Sequence, residues 1–201
     1  LNIRRVENLV KTLADLQNAG HEIVLVSSGA IALGMGKLGM TKRPSDTPGK
    51  QACAAVGQCE LMYMYDKFFA EYSIVVAQVL LTKYVLLEDR RQHVVNSMER
   101  LLSQGVIPIV NENDSVSSYE FQNLVKFGDN DTLSSVVAAL IGADLLILMS
   151  DIDGLFTNDP NSNPDAEFID IVENMDDNMR KLGKSSTGSN VGTGGMATKL
   201  T

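Results

Sequence analysis

Apolar positions at Ile3, Val6, Leu9, Val10, Leu13 and Leu16 recur at helical spacing, and the pattern predicts a helix over residues 2–19, stopped by Asn18-Ala19-Gly20. The next stretch, "EIVLVSSG" (22–29), reads as a buried strand running into a polar turn. A short glycine-rich helix, "AIALGMGKLG", follows it. Pro44, Ser45, Asp46, Pro48 and Gly49 mark residues 39–50 as a loop. Residues 50–72 have helical patterning, with Met62, Met64, Phe68 and Phe69 as core candidates.

The alternation then continues. "SIVVAQVLLT" (73–82) predicts a strand, and 86–104 a helix whose charged run at Glu88, Asp89, Arg90 and Arg91 is a solvated face. "GVIPIV" (105–110) predicts a strand ending directly on "NEND". A helix over 130–143 and a strand "DLLILMSD" (144–151) come next, and "FIDIV" (168–172) is a further strand candidate after turn-rich residues 157–166. Strands alternating with helices predict an α/β fold with a mainly parallel sheet covered on both faces. In such sheets ligands bind at the edge formed by the C-terminal strand ends. Three strands, "VLVSSG", "IPIVNEND" and "LILMSD", each run from apolar body to polar tip, and these tips are the expected site.

Composition narrows the function. The chain has 201 residues, enough for one sizeable domain, and 44% hydrophobic content. A net charge of −8 argues against wrapping nucleic acid or docking on an anionic membrane. No apolar run is long enough to span a bilayer and no signal peptide is evident, so a cytoplasmic location is expected. The spacing of Cys53 and Cys59 fits no zinc or redox motif, and reduced thiols are expected. His21 and His93 have no Cys or His neighbour in sequence and are not expected to be ligands.

Each polar tip admits a structural and a chemical use. Ser28, Gly29 and Ala30 stand where a strand becomes a helix: free backbone N–H groups there attract anions, while Ser28 is also a plausible helix cap. "GTGGMATK" (192–199) places glycines before a helical start with Lys199 one turn in. That suits either a phosphate cradle or a simple loop, and it lacks Walker A spacing. The clusters "NEND" (111–114) and "GDND" (128–131) suit calcium or magnesium, though without EF-hand spacing. Equally they suit an amino acid, with Asp114 on an ammonium and Asn130 on a carboxylate. They also suit helix and turn capping by Asp129 or Asn130.

"VLVSSGAIALG", "IPIVNENDSV", "KFGDNDTLSS", "LLILMSDIDGLFTNDPNSNP" and "GTGGMATKL" occur in this order, accompanied by "AAVGQCELM" (54–62) and "NPDAEFI" (163–169). Together they resemble the glutamate 5-kinase branch of the amino acid kinase family, over essentially all of residues 1–201. The resemblance implies a three-layer αβα sandwich around a mainly parallel open sheet. It implies ATP- and Mg²⁺-dependent phosphorylation of the glutamate side-chain carboxylate, the first step of proline biosynthesis. The same domain in bifunctional pyrroline-5-carboxylate synthase, or a non-catalytic glutamate or proline sensor, are the alternatives.

By the same resemblance, Ser28, Gly29, Ala30, Asn111, Asp114 and Asn130 hold glutamate. Ser150, Asp151, Thr193, Gly194, Gly195, Met196, Ala197, Thr198 and Lys199 bind the nucleotide. Lys199 neutralises charge on the transferring phosphoryl and Asp131 orients the catalytic lysines; no protein-held metal is implied. Family members begin with a strand carrying a second catalytic Lys, and extend further at the carboxyl end. Neither has a counterpart here, so 1–201 is expected to be a partial domain, weakly active or inactive by itself. Proline feedback and a homo-oligomeric state are also implied.

Overall fold

A computed structural model describes residues 2–116, 129–150, 152–160 and 162–176, together with Met179, Leu182 and Lys199. The chain divides into two compact units, 1–126 and 127–201.

In the first unit, helix α1 (Ile3–Asn18) starts where the Asn2 side chain accepts from the Arg5 N–H. Strand β1 (Leu25–Val26) is shorter than its apolar run, and helix α2 (Ala30–Lys37) follows. Helix α3 (Thr47–Ala70) begins inside the stretch expected to be a loop. Asp46 caps it by accepting from the Gly49 N–H at 2.8 Å. Pro48 falls in the first turn, where its missing N–H removes no helical bond, so a proline that reads as a breaker is here a starter. Strand β2 (Val76–Leu81) leads through a 3₁₀ turn (Lys83–Leu86) to α4 (Glu88–Ser103) and β3 (Ile107–Glu112).

These strands form a parallel sheet in the order β1-β3-β2. The central strand β3 runs two residues beyond its apolar body, because Leu80 and Leu81 of β2 continue the register opposite Asn111 and Glu112. Ile107, Ile109 and Val110 are fully enclosed. Around Ile107 and Ile109 pack Val10 and Ala14 of α1 and Leu61, Tyr65 and Phe69 of α3. Met62, Met64 and Phe68 lie against this cluster, as their apolar character suggested. Cys53 is buried with its thiol 3.6 Å from the Met40 sulfur, and Cys59 is exposed; both are free thiols.

Glycines set the approach of α2 to α3. A Cβ on Gly34 would lie 1.8 Å from the Cys53 carbonyl oxygen, and one on Gly57 would lie 1.7 Å from that of Ala30. The two helices therefore meet backbone to backbone, which side chains at either position would prevent.

The second unit contains α5 (Asn130–Ile141) and an antiparallel pair, β4 (Leu155–Phe156) with β5 (Phe168–Ile169). Phe156 and Phe168 meet edge to face, their ring centroids 5.4 Å apart. The strand expected over 144–151 is not observed: residues 145–150 belong to no ladder among the described residues. Leu145, Ile147 and Met149 are 74%, 70% and 71% exposed, and the run has a buried strand's composition without a partner strand among the described residues. No described helix is long and apolar enough to cross a membrane.

Candidate active site

Parallel pairing of β1 with β3 puts two of the polar tips side by side. Val26 is in register with Val110, and the Ser27 N–H donates to the Val110 carbonyl at 2.9 Å. Ser27 and Asn111 thus leave the sheet at the same edge. Beyond Ser27, Ser28 is exposed and Gly29 turns the chain at φ 99°, a left-handed conformation that Gly adopts without strain. Gly29 is the N-cap residue of α2 and no side chain bonds to that cap; the alternative in which Ser28 caps the helix is not what forms. Ala30, the first helical residue, is buried.

Asn111 is 3% exposed, so its amide must be satisfied internally. It donates to Gln58 Oε1 at 2.9 Å, and its Oδ1 accepts the Glu112 backbone N–H at 2.9 Å. Asn113 donates its backbone N–H to the Leu81 carbonyl at 2.8 Å, tying the turn to the neighbouring β2 end. Glu112 and Asp114 are partly buried, and this raises both carboxyl groups above their ordinary range. Asp114 adds to the rise at Glu112 while Lys83 opposes it, and Arg43 pulls Asp114 back. Asp114 thus presents a partly buried carboxylate at the end of β3, a group that can face an ammonium when ionised.

In the second unit, Asp129 caps α5 by accepting the Thr132 N–H at 2.8 Å. Asn130 and Asp131 follow as the first helical residues, with Asp131 in the first turn. Lys199 donates to both carboxylate oxygens of Asp131, at 2.9 and 2.8 Å, and to the Met149 carbonyl at 3.3 Å. Ser150, the last described residue of the unladdered run, is exposed. Asp151 and Thr193, Gly194, Gly195, Met196, Ala197 and Thr198 lie outside the described residues.

The family model described as "Amino acid kinase family" matches residues 2–201. The chain belongs to the amino acid kinase family. Glutamate 5-kinase of Clostridium perfringens is 51% identical over 201 residues, all of this chain and 74% of that protein. Glutamate 5-kinase of Carboxydothermus hydrogenoformans is 49% identical over the same 201 residues, which are 53% of its length. Glutamate 5-kinase of Listeria welshimeri is 49% identical over 100% of this chain and 72% of its own. The parallel sheet and its interleaved helices are this family's α/β architecture.

Sequence reasoning passed over Tyr65, Arg43 and Lys83, and quoted Gln58 and Glu112 only within "AAVGQCELM" and "NEND", without a role of their own. Gln58 and Tyr65 are spaced like core positions of α3, and only the polar atoms they carry on a buried face distinguish them. Arg43 and Lys83 approach the acidic turn from segments far from it in sequence, which no local pattern reports.

Proposed function

We propose that this chain is an amino acid kinase domain of glutamate 5-kinase type, transferring the γ-phosphoryl group of ATP to the side-chain carboxylate of L-glutamate. The observation that carries the reading is the 51% identity, over every residue of this chain, to a protein named for that activity.

The attacking carboxylate is ionised at neutral pH and needs no general base. Its oxygen forms a bond to the γ-phosphorus as the bond to the ADP oxygen breaks, giving an acyl phosphate and ADP. The obstacle is an anion meeting an anion, so positive charge and N–H donors must be in place beforehand. Asp114 takes the substrate ammonium. The N–H groups at the start of α2, with Ser28 and Gly29 leading into Ala30, face negative charge. Asn111 and Asn130 are assigned to the same substrate by resemblance. Lys199, held by Asp131, supplies cationic charge at the phosphoryl group, and Ser150, Asp151 and residues 193–198 are assigned to the nucleotide.

A magnesium ion would arrive on the ATP phosphates, with few ligands from the chain. When bound, the ion offsets phosphate charge.

The test is ATP-dependent formation of γ-glutamyl hydroxamate with hydroxylamine, comparing glutamate, aspartate and N-acetylglutamate as acceptors. Product with glutamate alone supports the assignment. Product with another acceptor, or ATP binding without product, overturns it. Feedback by proline, assembly into a homo-oligomer and a cytoplasmic location accompany this reading.

A further inference from the structure

The segment "AAVGQCELM" (54–62) lies on α3, and none of its residues is assigned to substrate or nucleotide. Yet α3 touches every element that builds the strand-tip site. At Gly57 its backbone rests against the Ala30 carbonyl, at the start of α2. One residue on, Gln58 Oε1 accepts from Asn111 Nδ2 at 2.9 Å, at the tip of β3. Two turns further along the same face, the Tyr65 hydroxyl is 2.9 Å from the Ser27 hydroxyl, at the tip of β1.

Gln58 is costly where it stands. Gln58 is 7% exposed and its Nε2 is buried without a hydrogen-bond partner among the described residues. Tyr65 is 6% exposed, and burial pushes its hydroxyl pKa up. Apolar residues of the same volume would pack this face without an unpaired N–H. Apolar packing therefore does not explain Gln58. Its carbonyl does have one clear effect, which is to fix the Asn111 amide. Asn111 Oδ1 also accepts the Glu112 N–H, so the Gln58 bond adds to the restraint on Asn111 and on the turn that leads to Asp114.

We infer that Gln58 and Tyr65 are positioning residues for the glutamate pocket, registering the tips of β3 and β1 against the start of α2 through one face of α3. The inference rests on the proposed function for the identity of the substrate, and on the hydrogen bonds alone for the positioning role.

The protein at its full natural length, with Gln58→Met, Gln58→Glu and Tyr65→Phe variants, tests it. The readouts are KM for acceptor, KM for ATP, kcat and thermal midpoint. Gln58→Met should raise the glutamate KM about tenfold, the scale of one lost buried hydrogen bond, with the ATP KM within about twofold. Its thermal midpoint should change little, since the unpaired Nε2 is gone while Asn111 Nδ2 loses an acceptor. Gln58→Glu keeps an acceptor for Asn111 and should fall closer to wild type than Gln58→Met. Tyr65→Phe should raise the glutamate KM about threefold.

An unchanged glutamate KM in folded Gln58→Met overturns the inference. So does a parallel rise in both KM values with a lower midpoint, which marks a merely structural role. If Gln58→Met fails to fold, Tyr65→Phe decides by the same criteria. A wild-type protein that phosphorylates a different acceptor sinks the glutamate assignment, whereas a selective KM rise for that acceptor in Gln58→Met upholds the positioning role.

Discussion

The ammonium of Lys199 lies 2.9 Å from one carboxylate oxygen of Asp131 and 2.8 Å from the other. Their side chains are 16% and 21% exposed, so the pair is partly withdrawn from water and stronger than an exposed ion pair. The Met149 carbonyl accepts from the same ammonium at 3.3 Å. Asp131 sits in the first turn of α5, where negative charge is favoured by the helix dipole. In the proposed reaction Lys199 acts where charge develops. Lys199→Met should lower kcat by about 10²–10³-fold with small changes in either KM. Lys199→Arg should restore little, because a planar fork cannot reproduce a point charge on one carboxylate and one carbonyl. Steady-state kinetics on both variants check this, and an active Lys199→Met enzyme would remove Lys199 from the chemistry.

Asp114 supplies the pH dependence. Burial raises its carboxyl pKa above the ordinary value of 3.8, and Arg43 reverses part of the rise. Glu112 is raised above 4.5 by burial and then by Asp114, against Lys83. Both folded values exceed the unfolded ones, so the folded state holds these protons more tightly. The stability they contribute is full below the ordinary carboxylate range and lost as pH rises through the raised folded values. Asp114→Asn should therefore be more stable than wild type at neutral pH, with the difference vanishing in acid; thermal melts across pH measure it. The same variant should weaken glutamate binding about tenfold to a hundredfold, by removing the ammonium's partner. In the wild type, the glutamate KM should climb on acidification as Asp114 takes up its proton.

The helix over 3–18 and the helix at 130–141 were legible because apolar spacing and caps act locally. So was the parallel sheet, whose strands alternate with helices. The start of α3 was misread because Pro48 and Gly49 carry one signal in a loop and the same signal in a first turn; Asp46 was the discriminating residue. The run at 145–150, expected as a strand, forms no ladder among the described residues. A strand is defined by a partner, and composition reports only the wish to be buried. In the site, the residues at strand tips were legible as polar endings on apolar runs. Gln58, Tyr65 and Arg43 were not, since their importance comes from what lies across the fold.

The contact between α2 and α3 separates two glycines that look alike in "GMG". Gly34 needs its hydrogen, with Cys53 backbone atoms in the way, whereas a Cβ on Gly36 meets nothing within 4 Å. Gly57 is as restricted as Gly34, with the Ala30 oxygen at 1.7 Å and the Gly34 nitrogen at 2.4 Å from a Cβ. Gly57→Ala should cost about 2–4 kcal/mol as backbone is forced apart, lowering the thermal midpoint by roughly 5–15 °C. Gly36→Ala should stabilise by up to about 1 kcal/mol through helix propensity. Calorimetry on the pair gives opposite signs if the helices meet as described.

Asp129 tests whether the start of α5 matters for chemistry as well as for folding. Its carboxylate accepts the Thr132 N–H at 2.8 Å, and the backbone it fixes leads directly into Asn130 and Asp131. Asp129→Ala should cost about 1 kcal/mol of stability by leaving that N–H without its cap, and Asp129→Asn or Asp129→Ser should recover most of it. Lost capping frays the first turn, and that turn holds Asp131 against Lys199. The Ala variant should therefore lose kcat beyond what its stability explains, measured well below its melting temperature, while Asp129→Asn stays near wild type. Equal kcat in both variants would mean that the Asp131–Lys199 pair holds its geometry without the cap.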